Sequence, residues 1–159
     1  MPSKKLKEFL DSHDVKYVSI SHSLAFTGLE IAKSAHVPTK ILAKTVILKI
    51  DGEPAMMVLP VAYKIDMENL SQALQGVTVE LATEQEFFSW FPDCEVGAMP
   101  PFGNLYSMKV YVAERLTENE DIVFNAGTHS EVIQMPYQDY ENLVQPTMVV
   151  LGEWAIVVD

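Results

Sequence analysis

Three short stretches hold residues whose types and spacing could do chemistry. The first is Ala43-Lys44-Thr45, inside ILAKTVILKI at 41–50. The run reads as a strand, whose side chains alternate, so Leu42, Lys44, Val46, Leu48 and Ile50 share one face. Lys49 lies on the other face near the strand end, where a charge reaches water. Lys44 lies in the middle of an otherwise apolar face, and two explanations are open. Its stem can snorkel past its neighbours. Alternatively, its ammonium can enter a pocket and meet an anion or a polarised carbonyl, where a low dielectric makes the charge effective. Burial of that kind also lowers a lysine's pKa.

The second stretch is Gly97-Ala98-Met99-Pro100-Pro101-Phe102-Gly103. A glycine and a proline four residues apart in a loop can hold backbone N–H groups in a concave array suited to a carbonyl or an oxyanion. The same composition also serves as a plain connector. The third is Asn125-Ala126-Gly127-Thr128-His129, between two strand candidates. Gly127 can take a positive φ there. His129 either positions a substrate or is simply an exposed loop histidine.

Other chemistries find no support in the spacing. His13, His22, His36 and Cys94 show no metal-ligand pattern, so no metal or other cofactor is expected. There is no P-loop and no G-x-G-x-x-G. Phe87, Phe88, Trp90 and Phe91 crowd one short helix and read as core rather than as a base-stacking platform.

The elements that must position these residues alternate in type. Residues 3–13 show a helical stripe of Leu6, Phe9 and Leu10. A short strand follows at 16–20. A capping box at Thr27–Glu30 opens a helix that runs to about His36 and stops before Pro38. Asp51-Gly52 turns the 41–50 strand into a second at 55–61, and this hairpin is expected to be central because both strands are apolar on both faces. Asp66 caps a helix closed by Gly76. A strand at 77–81 precedes a second capping box at Thr83–Glu86. Pro92 to Asn104 is loop. Strands follow at 107–112, 121–125 and 130–135, then a helix from Pro136 to about Val144. The tail TMVVLGEWAIVVD reads as one bent strand or a hairpin. The expectation is a single mixed α/β (α+β) domain over 1–159 with more strand than helix, its sheet or partial barrel flanked by helices.

The 159 residues carry a net charge of −11, which taken alone argues against a nucleic-acid binder. The charge is unevenly spread: residues 1–64 hold nine of the eleven basic residues against six acids. The apolar runs are too short to span a bilayer as a helix, the N-terminus has no apolar h-region, and one cysteine cannot form an internal disulfide. The expectation is a cytoplasmic protein without a membrane partner.

A-K-T in an apolar strand, G-x-x-x-P (Gly97 to Pro101) and N-A-G-T-H (Asn125 to His129) occur in that order. Together they resemble the YbaK/ProX family, the aminoacyl-tRNA deacylases related to the editing insertion domain of bacterial prolyl-tRNA synthetases. The likeness runs from about Val15 to Val144. It implies a YbaK-like fold with a central, mixed, barrel-like sheet. It also implies trans-editing: hydrolysis of the ester on a mischarged tRNA bearing a small amino acid such as Ala, Ser or Cys, with tRNA-Pro as one carrier. No metal and no covalent enzyme nucleophile is implied. The resemblance matches Lys44, the carbonyl-cradling loop at Gly97, and His129 to the catalytic positions. Phe26, Thr45, Ala98, Met99, Pro100, Pro101, Asn125 and Gly127 are the expected substrate contacts. The expected partners are the tRNA acceptor end, with Lys33, Lys40, Lys49 and Lys64 as candidate contacts, and an aminoacyl-tRNA synthetase. The competing reading is a module of the same fold that binds aminoacyl-tRNA or a synthetase without hydrolysis.

Overall fold

The computed structural model describes residues 2–25, 28–92, 94–95 and 98–150. Its helices are α1 (Pro2–Ser12), α2 (Gly28–Ala35), α3 (Met67–Ala73), α4 (Glu84–Trp90), α5 (Glu114–Thr117) and α6 (Tyr137–Val144). Its strands are β1 (Val18–Ser21), β2 (Ala43–Ile50), β3 (Glu53–Pro60), β4 (Val79–Leu81), β5 (Lys109–Ala113), β6 (Asp121–Asn125), β7 (Glu131–Pro136) and β8 (Thr147–Val149).

Local signals explain most boundaries. Asp51 (φ 50°) and Gly52 (φ 85°) make the two-residue turn that joins β2 to β3. The Asp66 carboxylate accepts the Asn69 N–H at 3.0 Å and starts α3. Thr83 and Glu86 exchange both capping-box hydrogen bonds at the start of α4. α2 ends on His36 (φ 58°), with the Val37 N–H bonded to the Ala32 carbonyl at 2.8 Å, a left-handed closure made without glycine. The expected cap at Thr27 lies outside the described residues.

The strands form two sheets, ordered β4-β2-β3-β5-β8 and β1-β7-β6. β3–β5 and β5–β8 are parallel, and the other pairs are antiparallel. The β2–β3 hairpin is central, as its two-sided apolar pattern predicts. The expected barrel-like closure is corrected: a parallel bridge, Leu42 to Val123, joins the sheets, and they do not close into a barrel. β2 takes β6 as neighbour at its start and β4 at its end, which leaves its middle unpaired on that side. The expected excess of strand holds by element, with eight strands against six helices among the described residues; α5 is the helix that no cap or periodic signal announces.

The main core lies between facing sheet surfaces. Ala43, Ile47, Met56, Val58 and Val112 meet Ile122, Phe124, Ile133 and Met135, with Leu6 and Leu10 of α1 and Phe87 and Phe91 of α4 packed against them. A second cluster fills the other face of the large sheet under Leu70 of α3. A third joins Leu42, Val61, Val123 and Val132 beneath Ile31 and Ala32 of α2. Of the α4 aromatics expected in the core, Phe88 is the exception, at 53% exposed.

Candidate active site

Lys44 and Thr45 project to opposite faces of β2. Thr45 belongs to the main-core face. With Ile47, Ala82, Phe87 and Met99 it lines a cleft of about 410 Å³ beside the unpaired stretch of the β2 edge. The Val123 N–H bonds to the Ile41 carbonyl (2.9 Å) and the Ala82 N–H to the Ile47 carbonyl (3.1 Å). Between them Thr45 turns its own N–H and carbonyl to the same edge, where neither meets the main chain of a described residue.

Lys44 stands across from Leu59. On its face the third cluster ends at Leu42 and the second begins at Val46 and Leu48, so the ammonium's stem occupies the seam between them. The side chain is half-buried. Burial lowers its pKa below the usual lysine value, and the neighbouring Lys64 charge lowers it further. The parallel bridge of Leu42 with Val123 sets the start of β2 beside β6, the strand that ends at Asn125.

The Asn125–His129 turn is held from two sides. Gly127 takes φ 103°. Its N–H donates to the Ala98 carbonyl at 2.8 Å, and its carbonyl accepts the Glu95 N–H at 3.0 Å. The His129 N–H donates to the Glu95 carboxylate at 2.6 Å. On the other side the Ala25 N–H bonds to the His129 carbonyl (3.1 Å) and the His22 N–H to the Ser130 carbonyl (2.9 Å). His129 is thereby buried, at 7% exposure, rather than exposed as a lone loop histidine would be.

The proline loop is narrower in its donors than its sequence promises. The Ala98 N–H is committed to the Glu95 carbonyl at 3.0 Å, and Pro100 and Pro101 have none. That leaves the Met99 N–H, which has no hydrogen-bond partner among the described residues. Pro101 points its carbonyl away, to the buried Tyr140 hydroxyl that donates to it at 2.7 Å.

Gly97 and Phe26 lie outside the described residues. The structure brings Ala98, Gly127 and His129 together and places Asn125 at the same end of β6. Met99 meets Thr45 in the cleft. Lys44 and Thr45, adjacent in sequence, do not share a surface. Two residues escaped the sequence reading. Glu95 anchors the His129 loop. His22 has a buried Nε2 with no hydrogen-bond partner among the described residues, and its Nδ1 meets the Ser23 carbonyl at 2.7 Å. A carbonyl only accepts, so Nδ1 carries a proton. The buried Asn125 Oδ1 is a second polar atom without a hydrogen-bond partner among the described residues. Neither role leaves a sequence signal, because each depends on pairing between distant segments. No group of three metal-ligating side chains occurs among the described residues.

A sequence profile described as the aminoacyl-tRNA editing domain matches residues 22–143. The multifunctional Ser/Thr-tRNA deacylase ProXp-y of Escherichia coli K12 is 27% identical over 112 residues, which is 67% of this chain and 66% of the relative's length. Among solved structures, the hypothetical protein APE2540 superposes with a TM-score of 0.80 at 18% identity, over 91% of this chain and 98% of its own. A protein provisionally assigned as a trans-editing enzyme for prolyl-tRNA synthetase superposes with a TM-score of 0.78 at 16% identity, over 92% and 94%. These two likenesses establish the fold.

Proposed function

The chain belongs to the aminoacyl-tRNA editing domain family, and we propose that it hydrolyses the ester joining a wrong amino acid to tRNA. The observation that carries this reading is the locking of the Asn125–His129 turn onto the loop at Glu95 and Ala98, with a half-buried lysine on β2, whose start is bridged to β6. Ester hydrolysis turns the carbonyl carbon tetrahedral and puts negative charge on its oxygen. Preorganised N–H groups stabilise that charge, and each is worth on the order of 100-fold in rate. The Met99 N–H, and that of Gly97 two residues before it in sequence, are the donors this reading uses. The Lys44 ammonium holds the terminal nucleotide's phosphate or orients the reacting groups. His129 positions the aminoacyl group.

Water, oriented by the tRNA's own neighbouring hydroxyl, attacks the carbonyl carbon. The acyl–oxygen bond breaks, and the attacking group's proton ends on the departing ribose oxygen. No covalent bond to the protein is needed. The name of the Escherichia coli relative gives Ser and Thr as the amino acids that protein removes. This supports a small amino acid here, Ser first, with Ala and Cys as competitors. A pocket separates such side chains by only about 1–3 kcal/mol per methylene.

The test presents Ser-, Thr-, Ala- and Cys-charged tRNAs, tRNA-Pro among them, to the wild type and to Lys44→Ala. Release of the amino acid by the wild type, collapsing in the variant, supports the reading. A folded wild type that releases none of them returns the protein to the non-hydrolytic binding module.

A further inference from the structure

The proposed reaction needs an RNA held by a chain of net charge −11, and the fold gathers cations where the sequence spreads them. Lys40 and Arg115, 75 positions apart, line one cleft of about 270 Å³ with Pro60, Tyr63 and Asn119. The Asn119 side-chain amide donates to the Lys40 carbonyl at 3.2 Å and ties the two segments together. Next along the chain from Tyr63 is Lys64, close enough to Lys44 to depress its pKa. Thr39, next to Lys40 in sequence, lines a second cleft with Lys33 of α2. Lys33, Lys40, Lys64 and Arg115 are all exposed. The acids lining the two clefts are Glu30 and Glu118. Glu118 is 3.7 Å from Arg115 in an exposed pair, which is worth little in water. Lys49, a sequence candidate, does not belong to this group, because Glu86 (3.1 Å) and Glu80 (3.8 Å) hold it.

We propose that the face carrying Lys33, Lys40, Lys64 and Arg115 is where the phosphates of a tRNA acceptor stem dock, leading its esterified end to Lys44. The inference rests on the deacylase reading for the identity of the RNA. Its physical basis is separate: a net positive strip on an acidic protein, exposed, with one end at the half-buried lysine. Phosphate contacts are read by charge rather than by base, and each one made releases counterions and steepens the dependence of affinity on salt.

The experiment compares wild type, Lys40→Ala/Arg115→Ala, Lys33→Ala/Lys64→Ala, and a control pair on α1 and its following loop, Lys4→Ala/Lys16→Ala. Two measurements are made. One is the KM for charged tRNA against that for the aminoacyl ester of adenosine alone. The other is the salt dependence of binding uncharged tRNA. On the proposal, each strip pair raises the tRNA KM about tenfold relative to that of the small ester, and lowers the log–log salt slope by roughly 1.5, as two lost phosphate contacts require. The control pair changes neither. Equal effects from control and strip pairs, or none from the strip, overturn the proposal. If no ester is hydrolysed, the binding slope still decides it: a slope lowered only by the strip pairs supports the docking face while the deacylase reading falls.

Discussion

The main-chain N–H of His129 donates to the Glu95 carboxylate at 2.6 Å. Glu95 also receives its own N–H bond partner from this turn, the Gly127 carbonyl, at 3.0 Å. One residue therefore fixes the spacing between the proline loop and the histidine loop. Replacing Glu95 with Ala removes the carboxylate but keeps the main-chain bond. The expected cost in stability is about 1 kcal/mol, since the carboxylate lies at the surface. The expected cost in deacylation is larger, on the order of tenfold or more in kcat, because misplacing reacting groups by an ångström is expensive. Glu95→Gln, which keeps an acceptor, should recover most of the rate. Single-turnover kinetics on the three proteins checks this, and an Ala variant with unchanged kcat would remove Glu95 from the positioning scheme.

The buried Tyr140 hydroxyl makes the corresponding tie on the far side of the proline loop, donating to the Pro101 carbonyl at 2.7 Å. Burial holds its pKa well above the ordinary tyrosine value, with the neighbouring Tyr137 adding to the effect. Tyr140 therefore stays a donor at any pH the fold survives. Tyr140→Phe leaves a buried carbonyl unsatisfied, so the expected loss is about 1–3 kcal/mol. Urea unfolding should show a lower midpoint with an unchanged m-value. An unchanged midpoint would mean that water replaces the hydroxyl.

The parts of this design that were legible in the sequence are the ones set by neighbours in the chain. The Thr83 capping box, the Asp66 cap, the Asp51-Gly52 turn and the Leu6/Phe9/Leu10 stripe each involve residues within a few positions, and each forms as its spacing requires. Alternation along 41–50 also isolated Lys44 on an apolar face. It left open whether that face is buried, since the answer depends on Leu59 across the hairpin and on which cluster packs above. Glu95, His22 and Arg115 lay out of reach. His22 acquires its place from the meeting of β1 with β7, residues more than a hundred positions apart. Arg115 acquires its own from the short α5, which has no cap hydrogen bond to announce it. The barrel expectation failed for a related reason. Hydrophobic pattern assigns strands to faces, but closure depends on edges, and the β2 edge is shared between β6 and β4.

Gly103 closes the proline loop, and it is required there for space rather than for its dihedral freedom. A Cβ at this position would lie 2.5 Å from the Met108 carbonyl oxygen and 2.5 Å from Val110 Cγ2. The first obstacle is main chain and cannot rotate away. Gly103→Ala must therefore push the 3₁₀ turn Gly103–Leu105 off β5, and overpacking of this kind costs about 1–3 kcal/mol. The strain falls next to Phe102, which is fully buried against Phe124 and Tyr140. Thermal unfolding should move down by several degrees, and a melting temperature equal to wild type would show that the turn has room to shift.

Lys44 offers the sharpest test, because its effects on stability and on catalysis have opposite signs. Its folded pKa is below the ordinary lysine value of 10.5, first because burial penalises the charge and second because of Lys64. In the unfolded chain the pKa returns to the ordinary value, so between the two the unfolded state binds more protons. Stability then rises with pH through that window and is flat below it, where the charged, desolvated lysine is a constant burden. Lys44→Met removes the burden and keeps the stem's packing. The expected result is a higher melting temperature at neutral pH, with the alkaline rise in stability abolished and deacylation lost. Melting curves from pH 7 to pH 11 on both proteins, beside the deacylation assay, make the comparison. A Met variant that melts lower would show that the ammonium is stabilised in the fold after all. A Met variant that keeps its activity would show that the seam between the two clusters, and not the reaction, is what the lysine serves.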